Sequence, residues 1–96
     1  MDNEKQVEEL FREAVLNVKN LKLDDKDRSY YLLYAYFKQG LEGNVSFEQP
    51  SILNMRSRNC WKAWKKIENM PKIEAKKKYI QIVYDLLKNR ENPKKT

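Results

Sequence analysis

The sequence predicts an all-α domain of four helices, and three observations carry that reading. Apolar residues recur three and four positions apart in four separate segments, the spacing of one face of an α-helix. No stretch alternates with period two over a useful length, so no sheet is expected. At 96 residues the chain, 1–96, makes a single domain, long enough for one modest core without metal or disulfide staples.

The first helix runs from about Asn3 to Val18, because Val7, Leu10, Phe11, Ala14, Val15 and Val18 share one face. Asp2 or Asn3 is available to cap it. Lys22 to Asp27 then breaks the apolar pattern with three aspartates, a loop whose acids suit the positive N-terminus of the next helix. The second helix, about Asp27 to Leu41, keeps Tyr30, Leu33, Tyr34, Phe37 and Leu41 in register, and Gly40 to Gly43 ends it.

From Glu42 to Asn54 there is no helical pattern, and Pro50 prevents one by fixing φ and lacking an N–H. That connection is long for a small helical domain, where about 2–8 residues is usual. A long crossing lets the second and third helices run parallel, giving an up-down-down-up bundle. The third helix, about Arg56 to Asn69, carries Trp61, Trp64 and Ile67. Pro71 suits the first turn of the fourth, where a missing donor costs nothing. That helix continues to about Lys88 through Ala75, Tyr79, Ile80, Val83, Leu86 and Leu87. Positions 89–96, with Arg90, Lys94 and Lys95 beside Pro93, read as a frayed basic tail.

Composition narrows the function. Cys60 is the single cysteine, so no intramolecular disulfide forms and a reducing compartment is the natural setting. The opening Met1-Asp2-Asn3-Glu4-Lys5 is polar, unlike a secretory signal. No apolar run approaches the roughly 20 residues that span a bilayer. A cytoplasmic protein without stable membrane insertion is expected. Histidine is absent, which removes the usual general base and the commonest metal ligand. Neither a metal site nor a resident cofactor is expected. With two glycines, Gly40 and Gly43, a glycine-rich phosphate loop is excluded. A formal net charge of +6 favours an anionic partner such as nucleic acid, a membrane surface or a phosphorylated small molecule. The bland alternative is a solvated surface plus the basic tail.

One tract points further. On a helix, Tyr34, Phe37 and Lys38 stand at i, i+3 and i+4, so two rings and an ammonium share a face. Rings stack on a base and an ammonium holds a phosphate, a pairing suited to a nucleotide-bearing ligand. The tract Tyr34-Ala35-Tyr36-Phe37-Lys38-Gln39, followed by Gly43, Glu48, Pro50, Trp61-Lys62-Ala63-Trp64 and Tyr79, resembles the acyl-CoA-binding protein family, also called diazepam-binding inhibitor. The resemblance runs without an obvious gap from about Phe11 to about Leu87.

The resemblance implies a four-helix acyl-CoA-binding bundle and assigns roles. Tyr34 donates its hydroxyl to phosphate, Phe37 stacks on adenine, and Lys38 pairs with the ribose 3′-phosphate. Tyr79 closes the nucleotide site from the far side, while Lys19 and Arg56 flank the phosphates with Arg58 near. Trp61 lies close to the ligand, whereas Trp64 packs inside. Tyr30, Tyr31, Tyr36 and Tyr84 have no claim beyond packing, and Lys76-Lys77-Lys78 is a solvated face. Candidate residues for the acyl groove are Ala14, Leu32, Leu33, Ile52 and Met55. Phe37 departs from the family's usual tyrosine, but stacking needs only the ring.

A larger departure is Cys60, which stands where the family usually has a phosphate-side lysine. Lys62 points to another face, so Arg56, one turn earlier, is the better substitute. The expected function is non-catalytic: a monomer that sequesters and transports medium- and long-chain acyl-CoA and passes it to acyl-CoA-using enzymes by exchange. A small basic nucleic-acid-binding domain is the alternative. Against it, acids are spread through the first two helices and no helix carries a continuous basic stripe. A peripheral membrane binder lacks its strongly basic amphipathic helix, and an enzyme lacks histidine or a paired acid–base site.

Overall fold

The computed structural model describes residues 3–24 and 26–91. They form four helices, α1 (Glu4–Val18), α2 (Arg28–Glu42), α3 (Met55–Lys66) and α4 (Lys72–Glu91), and no strand occurs among them. Contacts along the helices give their directions. Glu8 pairs with Lys76, and Phe11 packs on Tyr79, so α1 and α4 run parallel. Phe37 meets the same Tyr79, while Gly40 lies against Lys76, so α2 is antiparallel to α4. Arg56 lies over Tyr30 and Trp64 reaches Gln39, so α3 runs parallel to α2. The order is up-down-down-up, as the long crossover requires.

Capping explains the ends. Asn3 accepts the Gln6 N–H at 2.7 Å and starts α1, while the other expected cap, Asp2, lies outside the described residues. Asp27 holds the cap position of α2, yet its carboxylate turns back to accept the Asp24 N–H at 3.2 Å. The acids of this loop therefore brace the loop itself. Gly43, at φ 85°, terminates α2 in a conformation that favours glycine. Gly40 does not end the helix. It is an interior position where a β-carbon would stand 2.9 Å from Lys76 Cγ, so the glycine permits the close approach of α2 and α4.

The third helix stops at Lys66 rather than at the expected Asn69. Asn69 adopts a left-handed φ of 76°, and its N–H donates to Asn44 Oδ1 at 2.6 Å. Asn44 Nδ2 donates in return to Asn69 Oδ1 at 3.0 Å, tying the α2–α3 loop to the α3–α4 loop. The fourth helix runs past Lys88 to Glu91, into the stretch expected to fray; positions 92–96 of the expected tail lie outside the described residues.

Phe11, Ala14, Leu33, Tyr79 and Val83 form the core shared by α1, α2 and α4. A second centre lies between α2 and α3. Trp64, buried as expected, donates its Nε1–H to both Gln39 Oε1 (3.0 Å) and the Gly43 carbonyl (2.9 Å). Gln39, 1% exposed, donates onward to the Met70 carbonyl (2.9 Å) and Asn44 Oδ1 (3.0 Å). Every part of this buried amide is satisfied, which is the condition for a polar group in a core to stabilise rather than cost.

Replacing Gln39 with methionine keeps the volume but strips the Met70 carbonyl of its donor. Gln39→Met should lower stability by about 1–3 kcal/mol, read from urea unfolding followed by tryptophan fluorescence. An unchanged midpoint and slope would show that the amide is incidental.

Candidate acyl-CoA cleft

Both α1 and α2 pack on α4, and among the described residues their own backbones do not come close. Phe11 and Phe37 bridge them with rings 6.0 Å apart, and beyond Phe11 the gap opens into a cleft. The cleft, about 460 Å³, is lined on one side by Val15, Val18 and Leu23 and on the other by Leu33, Tyr34 and Phe37. Tyr79 contributes from α4, while Lys19 and Lys22 also line the space and are exposed to solvent. Lys22 has φ 52°, a left-handed conformation uncommon for lysine, in the loop at this cleft.

A second recess of about 430 Å³ adjoins the first. It lies between α2, α3 and their crossover and is lined by Phe47, Pro50, Asn54, Arg56, Ser57 and Cys60. Tyr30 and Tyr34 line both spaces, so the two recesses adjoin along this face of α2. The first is walled by aliphatic and aromatic side chains with ammonium groups beside them. The second brings a guanidinium and a thiol against Phe47 and proline.

Of the residues expected at the site, Lys19, Tyr34, Phe37 and Tyr79 meet in the first cleft, and Tyr34, Arg56 and Cys60 meet in the second. Lys38 stands beside them. Its ammonium lies 6.0 Å from the Tyr34 ring centroid and 5.9 Å from that of Trp64, and it pairs with Glu42 at 3.1 Å. Leu33, expected in the acyl groove, lines the first cleft. Other expectations are corrected. Leu32 sits on the opposite side of α2, one position round the helix from Leu33, in a different groove. Ala14 is sealed in the core, while Ile52 (65% exposed) and Met55 (52%) stand in solvent outside both recesses. Trp61 donates its indole N–H to the Phe47 carbonyl at 2.8 Å and braces the crossover without lining either space. Arg58 likewise holds the Pro50 carbonyl at 3.1 Å.

Tyr30, Lys22, Leu23, Val15 and Val18 were not anticipated as site residues. For Tyr30 a signal existed: it is four before Tyr34 and therefore on the same face. No residue pattern marks Lys22, whose place depends on the path of the loop.

The electrostatics separate the titratable groups. Burial pushes the Tyr34 phenol up, with Lys38 pulling the other way. Burial also raises the Cys60 thiol above its ordinary value, against a smaller lowering by Arg56. The cysteine is therefore held as the neutral thiol, the form that is neither nucleophile nor ligand. Tyr79, 3% exposed, is pushed up to about 12 by burial.

The family model described as Acyl CoA binding protein matches residues 8–83 of this chain. Over 81 residues the chain is 33% identical to the acyl-CoA-binding protein of Saccharomyces cerevisiae, covering 84% of this chain and 93% of that protein. It is 31% identical over 77 residues to acyl-CoA-binding protein homolog 1 of Caenorhabditis elegans, covering 80% of this chain and 90% of the other. Among solved structures, acyl-CoA-binding protein 2 of Oryza sativa superposes with a TM-score of 0.82 at 33% identity, covering 90% of this chain and 96% of that one.

The buried phenol of Tyr79 makes a pH prediction. A group whose folded pKa exceeds its unfolded value near 10 contributes stability that is intact below that value and is lost as pH rises toward about 12. Ultraviolet titration of the six tyrosines should show one ionising late, and Tyr79→Phe should remove that component. A wild-type titration with no late component would contradict the burial of this group.

Proposed function

Because the chain belongs to the acyl-CoA-binding protein family, we propose that it is a non-catalytic carrier that binds, sequesters and transports medium- and long-chain fatty acyl-CoA thioesters. The observation that supports this reading is that two recesses of different chemistry adjoin at Tyr30 and Tyr34. A ligand that fills both must have a flat aromatic part, anionic groups and an extended apolar part. Acyl-CoA has all three.

The nucleotide enters the first cleft, where Phe37 offers a face to adenine and Tyr79 backs it. Lys19 and Lys22 meet the phosphates from the rim, and Lys38 takes the 3′-phosphate, exchanging its exposed contact with Glu42 for a doubly charged partner. Tyr34, shared by the two spaces, contacts the phosphate side of the head. The remainder of the ligand crosses to Phe47 and Pro50. In this position Arg56 supplies the cation that Cys60 does not. Each buried methylene contributes about 0.8 kcal/mol, so some ten of them outweigh any single ion pair, and long chains are preferred.

A carrier needs no acid–base pair and no nucleophile, and the Cys60 thiol is kept protonated by burial. No helix among the described residues is long and apolar enough to cross a membrane. The protein acts as a cytoplasmic monomer, passing its cargo to acyl-CoA-using enzymes by exchange.

Calorimetric titration with palmitoyl-CoA, CoA and palmitate tests the reading. The intact thioester should bind far more tightly than either fragment, and CoA should compete with it. Lys38→Ala should cost about 1–3 kcal/mol, with little further loss when the 3′-phosphate is removed from the ligand. Absence of palmitoyl-CoA binding, or binding of an oligonucleotide that CoA does not displace, would overturn the assignment.

A further inference from the structure

Turned away from the acyl-CoA cleft, α2 and α3 leave a third groove between them, of about 550 Å³. Its apolar lining is Leu32 and Ala35 from α2 and Ala63 and Ile67 from α3 or its cap. Arg28, Lys62 and Lys66 also line it, all three exposed, and no acidic residue is among the lining residues. Four lysines elsewhere are paired with carboxylates: Lys38 with Glu42, Lys65 with Glu68, Lys76 with Glu8 and Lys77 with Glu74. Arg28, Lys62 and Lys66 have no carboxylate partner among the described residues. The groove is thus rimmed by three exposed cations with no acid in its lining.

From this we infer that the outer α2–α3 groove docks an acidic amphipathic helix of a partner protein, with an apolar stripe lying on Leu32, Ala63 and Ile67 and carboxylates meeting Arg28, Lys62 and Lys66. The shape suits a helix. Two parallel helices, joined along their length by contacts such as Gln39 to Trp64, form a straight furrow. The small, partly exposed Ala63 lets a third helix come close. From Arg28 to Tyr36, at about 1.5 Å per residue, the furrow runs a little over two turns. That length takes a short helical segment laid into a groove, a recurring recognition mode. Charge supplies the selection, since a basic partner is repelled by a rim that holds no acid. The groove shares no lining residue with the two recesses of the acyl-CoA site. Docking here leaves the cleft open, so a partner can hold the protein whether the cleft is filled or empty.

The probe is a synthetic helical peptide of about four turns with a leucine stripe flanked by glutamates, titrated into the isotope-labelled protein. Amide shifts should move at Arg28, Leu32, Ala35, Asn59, Ala63 and Lys66, with and without palmitoyl-CoA present. A peptide of the same composition in scrambled order, and a lysine-flanked version, should leave those amides in place. Raising salt should weaken binding. The combined Lys62→Glu and Lys66→Glu variant should weaken the glutamate peptide by about tenfold or more while binding palmitoyl-CoA like the wild type. Shifts confined to the acyl-CoA cleft, or equal binding of the three peptides, would overturn the inference. So would anionic phosphatidylglycerol vesicles binding through the same residues when the peptide does not, since the groove would then serve a membrane.

Discussion

The side-chain amide of Gln39 is the point on which the arrangement of this molecule turns. Buried within α2, it accepts from Trp64 of α3 and donates to the Met70 carbonyl just before α4. It also donates to Asn44, whose side chain is bonded in turn to Asn69. One residue thus fixes the position of α3 beside α2 and joins both loops that α3 depends on. Apolar packing alone would let α3 slide along α2, because hydrophobic contact is not directional. A satisfied amide in a low-dielectric setting specifies one register.

The acyl-CoA site follows from that register. With α3 held parallel to α2, Tyr30 and Tyr34 look out between α3 on one side and the α1–α4 pair on the other. Arg56 comes to rest 6.0 Å from the Tyr30 ring, and Cys60 is brought to the same recess. On the other flank, Tyr79 serves two purposes. Its ring packs edge-on against Phe11 at 5.1 Å, and it also lines the cleft where α1 and α2 diverge. Core and binding surface therefore share residues here, and a substitution that weakens binding also tests stability. Of the residues proposed to meet the ligand, Lys19, Lys22, Lys38 and Arg56 contribute little to the core and report on binding alone.

Much of the fold was legible because local signals agreed with the tertiary answer. The apolar spacing of Val7, Phe11 and Ala14 marks their buried face, and the long Pro50-containing crossover implies a parallel α2–α3 pair. Boundaries were less legible where a distant residue decides them: α3 ends early because Asn44, far back in sequence, captures Asn69. That Tyr34 and Phe37 line one cleft was legible because they share a helical face. The site was misread at Leu32, since one step along a helix turns a side chain by about 100° and moves it to the other groove. Lys22 and Leu23 lie on a loop, where no periodicity reports direction, and Gln39, within the tract Tyr34 to Gln39, carries no apolar signal that would mark it as buried.

Intermolecular nuclear Overhauser effects in the palmitoyl-CoA complex report whether a single ligand spans both recesses with Tyr34 at the junction. Adenine protons should contact the rings of Phe37 and Tyr79, the acyl methylenes should contact Phe47 and the β-protons of Cys60, and Tyr34 should contact protons of the linking chain. Adenine contacts confined to the Arg56–Cys60 recess, or a ligand with no contact to Tyr34, would contradict that arrangement.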